Sequence, residues 1–242
     1  MSLLIRHWNP NVDNDLVNLL KYSWYRQEER SLPVGLAPQE GESALHSSVR
    51  NADLGAIERL ISEGHSLDVF DSRGYTPLHT AAARGRIDVL ELLLLQCTNL
   101  EVRSQTFNKD TPLTWTATEG TAESINILLD HGAEIETVLG DGLRPIHLAA
   151  QCANYKITQM LLEGNVPLDI NVCTSDRLQG RSALHYAVLN GEPRVVKLLL
   201  QKGADVNARD IGGQTPSDYS VSSKNSSIQE LLADSSRKKR KE

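Results

Sequence analysis

Apolar positions along the chain fall into a recurring unit. Ile87, Leu90, Leu93 and Leu94 lie at i, i+3, i+6 and i+7, the spacing of a single apolar stripe on an amphipathic helix. Upstream, Thr76-Pro77 precedes Ala81, Ala82 and Ala83. Threonine offers a capping acceptor, proline needs no donor at the first helical position, and alanines favour a slim helix, so a short helix is predicted from Pro77. Gly85 supplies the left-handed turn between the two helices. The unit returns as Ser43-Ala44-Leu45-His46, Thr76-Pro77-Leu78-His79, Thr111-Pro112-Leu113-Thr114, Arg144-Pro145-Ile146-His147, Ser182-Ala183-Leu184-His185 and Thr215-Pro216-Ser217-Asp218, with fourth positions stepping by 33, 35, 33, 38 and 33 residues. Aliphatic pairs follow at Leu60-Ile61, Leu93-Leu94, Leu128-Leu129, Leu161-Leu162 and Leu199-Leu200. Turn-rich stretches such as Asp71-Ser72-Arg73-Gly74 and Asp210-Ile211-Gly212-Gly213 join one helix pair to the next. One pair cannot bury its own stripe, so the pairs must stack around a continuous core.

Composition places no obstacle in the way of that array. Of 242 residues, 40% are hydrophobic and 23% charged, which excludes wholesale disorder, collagen-like structure and a disulfide scaffold. Leu3-Leu4-Ile5 is cut at once by Arg6 and His7, so no secretory or membrane segment is expected and the chain is read as intracellular. Cys97, Cys152 and Cys173 lack paired spacing and are expected as free, buried thiols. The net charge of −6 is unevenly placed: the last six residues carry +4, leaving −10 on the rest. An acidic body disfavours nucleic-acid binding through the repeats. The run Arg237, Lys238, Lys239, Arg240 and Lys241 has the charge density of a nuclear localisation signal. A nuclear-import receptor is its expected partner, with nuclear and cytoplasmic locations; a solvated tail and an anionic-surface contact are the alternatives.

Catalytic chemistry finds no support in the spacing. His46, His79, His147 and His185 recur with the repeat, and so should lie in separate layers about 8–10 Å apart, too far for a shared zinc ion. His147 and Cys152 are five residues apart, on different sides of a helix. Neither a nucleophile elbow, a zinc-protease motif nor a phosphate-binding loop occurs. A non-enzymatic chain without cofactor or metal is expected, with an undescribed enzyme as the remaining alternative.

Period, tetrapeptide, glycines and aliphatic pairs together resemble the ankyrin repeat over about residues 39–233. The resemblance implies an all-α repeat solenoid of about six helix-turn-helix repeats, starting near 39, 71, 106, 139, 177 and 210, with hairpin fingers and a concave face. Residues 1–38 are assigned to an N-terminal helix (Leu16, Leu20, Trp24) and linker, and 234–242 to a basic tail. That segment covers the open edge of the first repeat as a helix, binds a partner as a helix, or is disordered. The repeat histidines take a structural role in this family. Lys109, Thr114 and Ala153 depart from the pattern and predict local irregularity, while the polar run Ser220 to Ser227 suits a terminal cap.

Alignment to the repeat assigns a protein partner to Arg73, Tyr75, Arg84, Phe107, Asp110, Leu143, Leu178, Arg181, Leu189 and Asn190, beside Ser72, Asn108, Glu119, Asp141, Gln151, Gln179, Ile211 and Gln214. Tyr75, Phe107, Leu143 and Leu178 form a candidate row of apolar anchors; Phe107 alternatively tucks into its enlarged loop. Trp115 and Tyr186 are expected to be partly buried against the next repeat. Gly180 to Val188 is similar to the corresponding part of the inhibitor-of-NF-kappa-B group, implying a transcription-factor partner. A ubiquitin-ligase substrate adaptor is the other family-style expectation, although no leucine-rich box follows the last repeat. Leu199 through Asn207 resembles the ankyrin segment whose asparagine a dioxygenase hydroxylates, which implies Asn207 as a modification site, the alternative being an asparagine with a structural hydrogen-bonding role alone. The array is expected to act as a monomer.

Overall fold

The computed structural model describes residues 42–239 except 98, 107, 108, 141, 165, 166 and 224; for 222, 223, 238 and 239 it describes the backbone alone. The N-terminal helix and linker, Phe107, Asn108, Asp141, Arg240 and Lys241 lie outside the described residues.

Twelve α-helices alternate as first and second members of a pair among those residues. The first members are α1 (Ala44–Asn51), α3 (Pro77–Arg84), α5 (Pro112–Glu119), α7 (Pro145–Gln151), α9 (Ala183–Asn190) and α11 (Pro216–Ser223). The second members are α2 (Leu54–Ser62), α4 (Ile87–Leu94), α6 (Ala122–Asp130), α8 (Tyr155–Glu163), α10 (Pro193–Gln201) and α12 (Ser226–Lys239). First helices pack on first helices and second on second, layer after layer, giving the all-α repeat solenoid that the periodicity demanded.

Each first helix starts where the sequence placed its cap. The hydroxyls of Ser43, Thr76 and Thr111 accept from the backbone N–H three residues on, and Thr121 and Asn154 do the same for second helices. Such caps satisfy donors the helix cannot use itself. The core is a column of fully buried aliphatics, among them Leu45, Ile57, Leu90, Leu93, Leu113, Ile125, Leu128, Ile146, Ile157 and Leu161. Each contributes roughly 1.5–3 kcal/mol on burial.

Two expectations about the turns change. Ala153 keeps the left-handed conformation at φ 54° and Lys109 does so at φ 59°, so the hairpin geometry survives without glycine and the local irregularity is absent there; the departure is stored as strain. Gly120 instead is extended, at φ −90° and ψ −161°. It is glycine because a Cβ there would lie 2.3 Å from Thr116 Cγ2. At the C-terminal end α12 buries Ile228 and Leu232 and continues through Lys239, so the backbone of 234–239 in the basic segment is helical. Ser220, expected to face water, is buried and donates to Ser217 O. Among the described residues no helix is long and apolar enough to cross a membrane.

Candidate protein-binding surface

The inner half of each finger and the start of each first helix form a hydrogen-bonded interior. His79 Nε2 lies 2.9 Å from Asp110 O in the next finger, and its Nδ1 lies 2.8 Å from Thr76 Oγ1. A carbonyl only accepts, so Nε2 carries the proton and Nδ1 accepts from the cap. His46 reaches Tyr75 O, His147 reaches Val172 O and His185 reaches Gln214 O in the same way, at 2.9, 2.9 and 3.2 Å. Nε2 thereby links layers, while Nδ1 stays with the cap of its own helix. Burial pushes His79 and His147 down to about 4 and lowers His46 and His185 too. Thr114 accepts from Thr111 N at 2.7 Å but has no second polar end to reach the next finger. Leu143 O, the equivalent acceptor, keeps the hairpin bond from Leu139 N at 2.9 Å that Tyr75 O, Asp110 O and Gln214 O also have in their own fingers.

A second ladder runs along the turns after the second helices. Glu101 accepts from Glu134 N at 2.9 Å and from the Thr137 hydroxyl at 2.8 Å; Glu136 accepts from Asp169 N at 2.9 Å; Asn171 accepts from Asp205 N at 2.7 Å. Asn207 holds the next equivalent position, exposed, its backbone N–H donating to Asp205 Oδ1.

Several residues read as binding anchors belong to this interior. Tyr75 is buried, its ring centroid 4.3 Å from that of Trp115, 40 residues on. Leu143 is 2% exposed, inside its finger. Asp110 is buried, and its carboxylate accepts from the Thr106 hydroxyl at 3.4 Å. Arg181 is buried too, donating to Tyr219 Oη at 2.8 Å with its guanidinium 5.0 Å above that ring. Tyr219 in turn donates to Asp210 Oδ2 at 2.5 Å. Burial, then the Asp210 carboxylate, pushes the phenol up to about 12. These placements differ from an exposed row of anchors because Tyr75 and Arg181 are covered by the next layer, and Asp110 and Leu143 are buried in their own fingers. Gln151 is buried as well, while Trp115 and Tyr186 are buried rather than partly exposed.

Other assigned residues reach the surface. Arg73 is exposed, paired with Asp71 at 2.9 Å. Arg84, Glu119, Leu178 and Leu189 are half-buried, and Ser72, Gln179, Ile211 and Gln214 are exposed. Asn190 is exposed, and its amide donates to Gln151 O at 2.6 Å. In the basic run Arg237 is exposed beside Asp234, and Lys238 and Lys239 continue helix α12. The thiols also depart from expectation: Cys97 and Cys152 are half-buried, Cys173 is exposed on the enlarged fourth finger, and none forms a disulfide.

Sequence reasoning missed Val138, which is 42% exposed, and the finger cations Arg103, Lys109 and Arg209, all exposed. A signal existed for two of them. Arg103 and Arg209 each stand two residues after the ladder position, at Glu101 and Asn207. Among the described residues no group of three or more His, Cys, Asp or Glu side chains is placed to hold a metal ion.

Known proteins share this architecture. A family model for ankyrin repeats in three copies matches residues 4–106 and 94–176, and a single ankyrin-repeat model matches 179–211. Ankyrin repeat and SOCS box protein 3 of Bos taurus is 30% identical over 184 residues, covering 76% of this chain and 32% of that protein. Palmitoyltransferase AKR1 of Lachancea kluyveri is 28% identical over 179 residues, covering 72% and 24%. The chain thus spans about a third or less of the length of these relatives. The crystal structure of an ankyrin repeat domain from Acinetobacter baumannii superposes with a TM-score of 0.68 at 23% identity, covering 79% of this chain and 97% of that one. This chain belongs to the ankyrin-repeat family, and its stacked helix pairs are a protein–protein interaction module.

Proposed function

We propose that this chain engages a protein partner through its finger tips and the exposed ends of its first helices, as a non-enzymatic nuclear or transcriptional regulator. The supporting observation is the exposure of Val138 (42%) and Ile211 (57%) on hairpins whose backbones are already fixed. Leu139 N donates to Leu143 O at 2.9 Å, Asp210 N to Gln214 O at 2.9 Å and Ile211 N to Gln179 O at 2.9 Å. Apolar groups on preordered hairpins lose little entropy when a partner covers them. The test is affinity capture from nuclear and cytosolic extracts with the full chain and a folded V138S/I211S variant, folding being checked by circular dichroism. A protein retained only by the unaltered chain supports the reading, and identical captures contradict it.

The basic run supplies nuclear import in this reading. Deleting residues 237–242 is expected to shift the chain to the cytoplasm, and an unchanged distribution removes the import role. Asn207, exposed on a turn, is the proposed hydroxylation site; a one-oxygen mass increase on its peptide after incubation with an asparagine dioxygenase is the expected sign.

A second reading is a substrate-recognition adaptor of a ubiquitin ligase. It is favoured by the 30% identity to a protein whose name couples ankyrin repeats to a SOCS box. Co-purification of a cullin and its adaptor with the chain separates it from the transcriptional reading.

A further inference from the structure

The finger tips carry a row of exposed cations. Arg103, Lys109, Arg177 and Arg209 are all exposed, and among the described residues none of them lies within ion-pair range of a carboxylate. Two are held in place by neutral groups. Arg103 donates to Lys109 O across its own hairpin at 3.2 Å and to Val138 O of the next finger at 3.1 Å; Arg209 donates to Gly213 O across its hairpin at 2.7 Å. A carbonyl orients a guanidinium without cancelling its charge, and leaves further N–H groups of the five to donate outward.

The finger carboxylates are mostly occupied elsewhere. Asp71 holds Arg73, Asp110 is buried, and Asp210 is buried against Tyr219 and Arg181. Asp176 alone among the described finger acids is exposed beside one of the four cations, next to Arg177 in the chain. Just outside the fingers, Asp218 lies close enough for Arg209 to lower its carboxyl slightly, after the larger effect of its bonds to Thr215. On the other side of the layers the balance varies: α8 carries Lys156 and Glu163, and α10 carries Arg194 and Lys197 with no acid. Helices α4 and α6 carry Asp88, Glu91, Glu123 and Asp130, with no lysine or arginine.

Apolar groups sit among the cations. Val138 follows Arg103 and Lys109 on the neighbouring finger, and Ile211 lies between Arg209 and the Arg177 finger, to which its N–H is bonded. From these juxtapositions we infer that the finger tips form a cationic, aliphatic-studded rim that binds an extended acidic protein segment with apolar residues between its carboxylates. The inference rests on the finger-face reading above and names the class of partner for it. Spacing favours a polypeptide. Packed helix layers advance by about 8–10 Å and an extended chain by about 3.3 Å per residue, so carboxylates three residues apart meet successive fingers. Nucleic acid fits less well, because its phosphates would also face an acidic body through a Debye length of about 8 Å at physiological salt.

The test uses fluorescence anisotropy on the full chain. The probe is a labelled peptide of about twelve residues, a length set by the span of three to four layers, with glutamate at every third position and leucine or valine between. A glutamine-for-glutamate version and a single-stranded oligonucleotide serve as comparisons. The glutamate peptide is expected to bind about tenfold or more tightly than the glutamine peptide, with affinity falling as salt rises. K109Q/R177Q should lower its affinity, whereas K156Q/K197Q, altering exposed lysines on second helices, should not. Equal binding of both peptides, equal effects of the two variants, or preference for the oligonucleotide overturns the inference. The two proposals fail separately. Partner capture lost with V138S/I211S but untouched by K109Q/R177Q keeps the finger face and removes the acidic partner; capture indifferent to both variants removes the finger face.

Discussion

Inner and outer halves of the same fingers have opposite fates. Tyr75, Asp110, Leu143 and Arg181, one residue before the caps of α3, α5, α7 and α9, are all buried, while Lys109, Val138, Arg177 and Ile211, a few residues away, are exposed. The difference lies in what each meets in the next layer. Residues before the cap face the following repeat, where Trp115 stacks on Tyr75 and Tyr219 accepts from Arg181. Residues at the tip also touch the neighbouring finger, as Ile211 N does Gln179 O, but their side chains stay exposed and remain available. A finger is therefore a clamp at its base and a display at its tip, and large effects on stability should be confined to the base.

The largest expected effect is at Arg181. Its side chain and that of Asp210 are 7% and 2% exposed, so Arg181→Ala leaves a buried carboxylate and phenol without their cation, at a cost of roughly 3–5 kcal/mol. Urea unfolding should show it; a loss below about 1 kcal/mol would place Arg181 among exposed surface groups, whose replacement costs little.

Acid should open the same interior. His79 and His147 are held down to about 4 from 6.5, so between those values the unfolded chain takes up protons that the folded chain refuses. Stability is therefore complete above about pH 7 and falls as pH drops from about 6.5 towards 4, by about 3 kcal/mol for each of the two histidines. Thermal unfolding against pH reads this out, and His79→Thr, which copies the Thr114 layer, should flatten part of the slope.

A smaller effect of opposite sign belongs to the strained turn. Ala153 at φ 54° invites glycine, and Ala153→Gly should raise stability by about 1 kcal/mol as left-handed strain is relieved. The smallest stability change is expected at the tips: Ile211→Ser and Val138→Ser should stay within about 0.5 kcal/mol in the same unfolding assay while weakening capture of the partner.

Much of the architecture was legible in the residues because it repeats. Caps such as Thr76 and Thr111, apolar stripes such as Ile87 to Leu94 and the layered histidines are local features, and each acts where its position implies. Surface assignment was less legible because burial is decided across layers. Nothing beside Tyr75 in the chain announces Trp115, and Arg181 is claimed by Tyr219, 38 residues later. Equivalent repeat positions also differ: Thr114 stands where histidine links other layers, and Val138 where Arg103 and Arg209 stand in theirs. Alignment to a repeat gives register, whereas exposure depends on which side chain the next layer brings.

Hydrogen–deuterium exchange of the full chain, alone and bound to a partner recovered by the capture experiment, tests the central claim most directly. Finger segments 102–110, 172–182 and 207–214 should gain protection on binding, with helices α4, α6 and α8 unchanged. Protection confined to those second helices, with the fingers exchanging as in the free chain, would contradict the account.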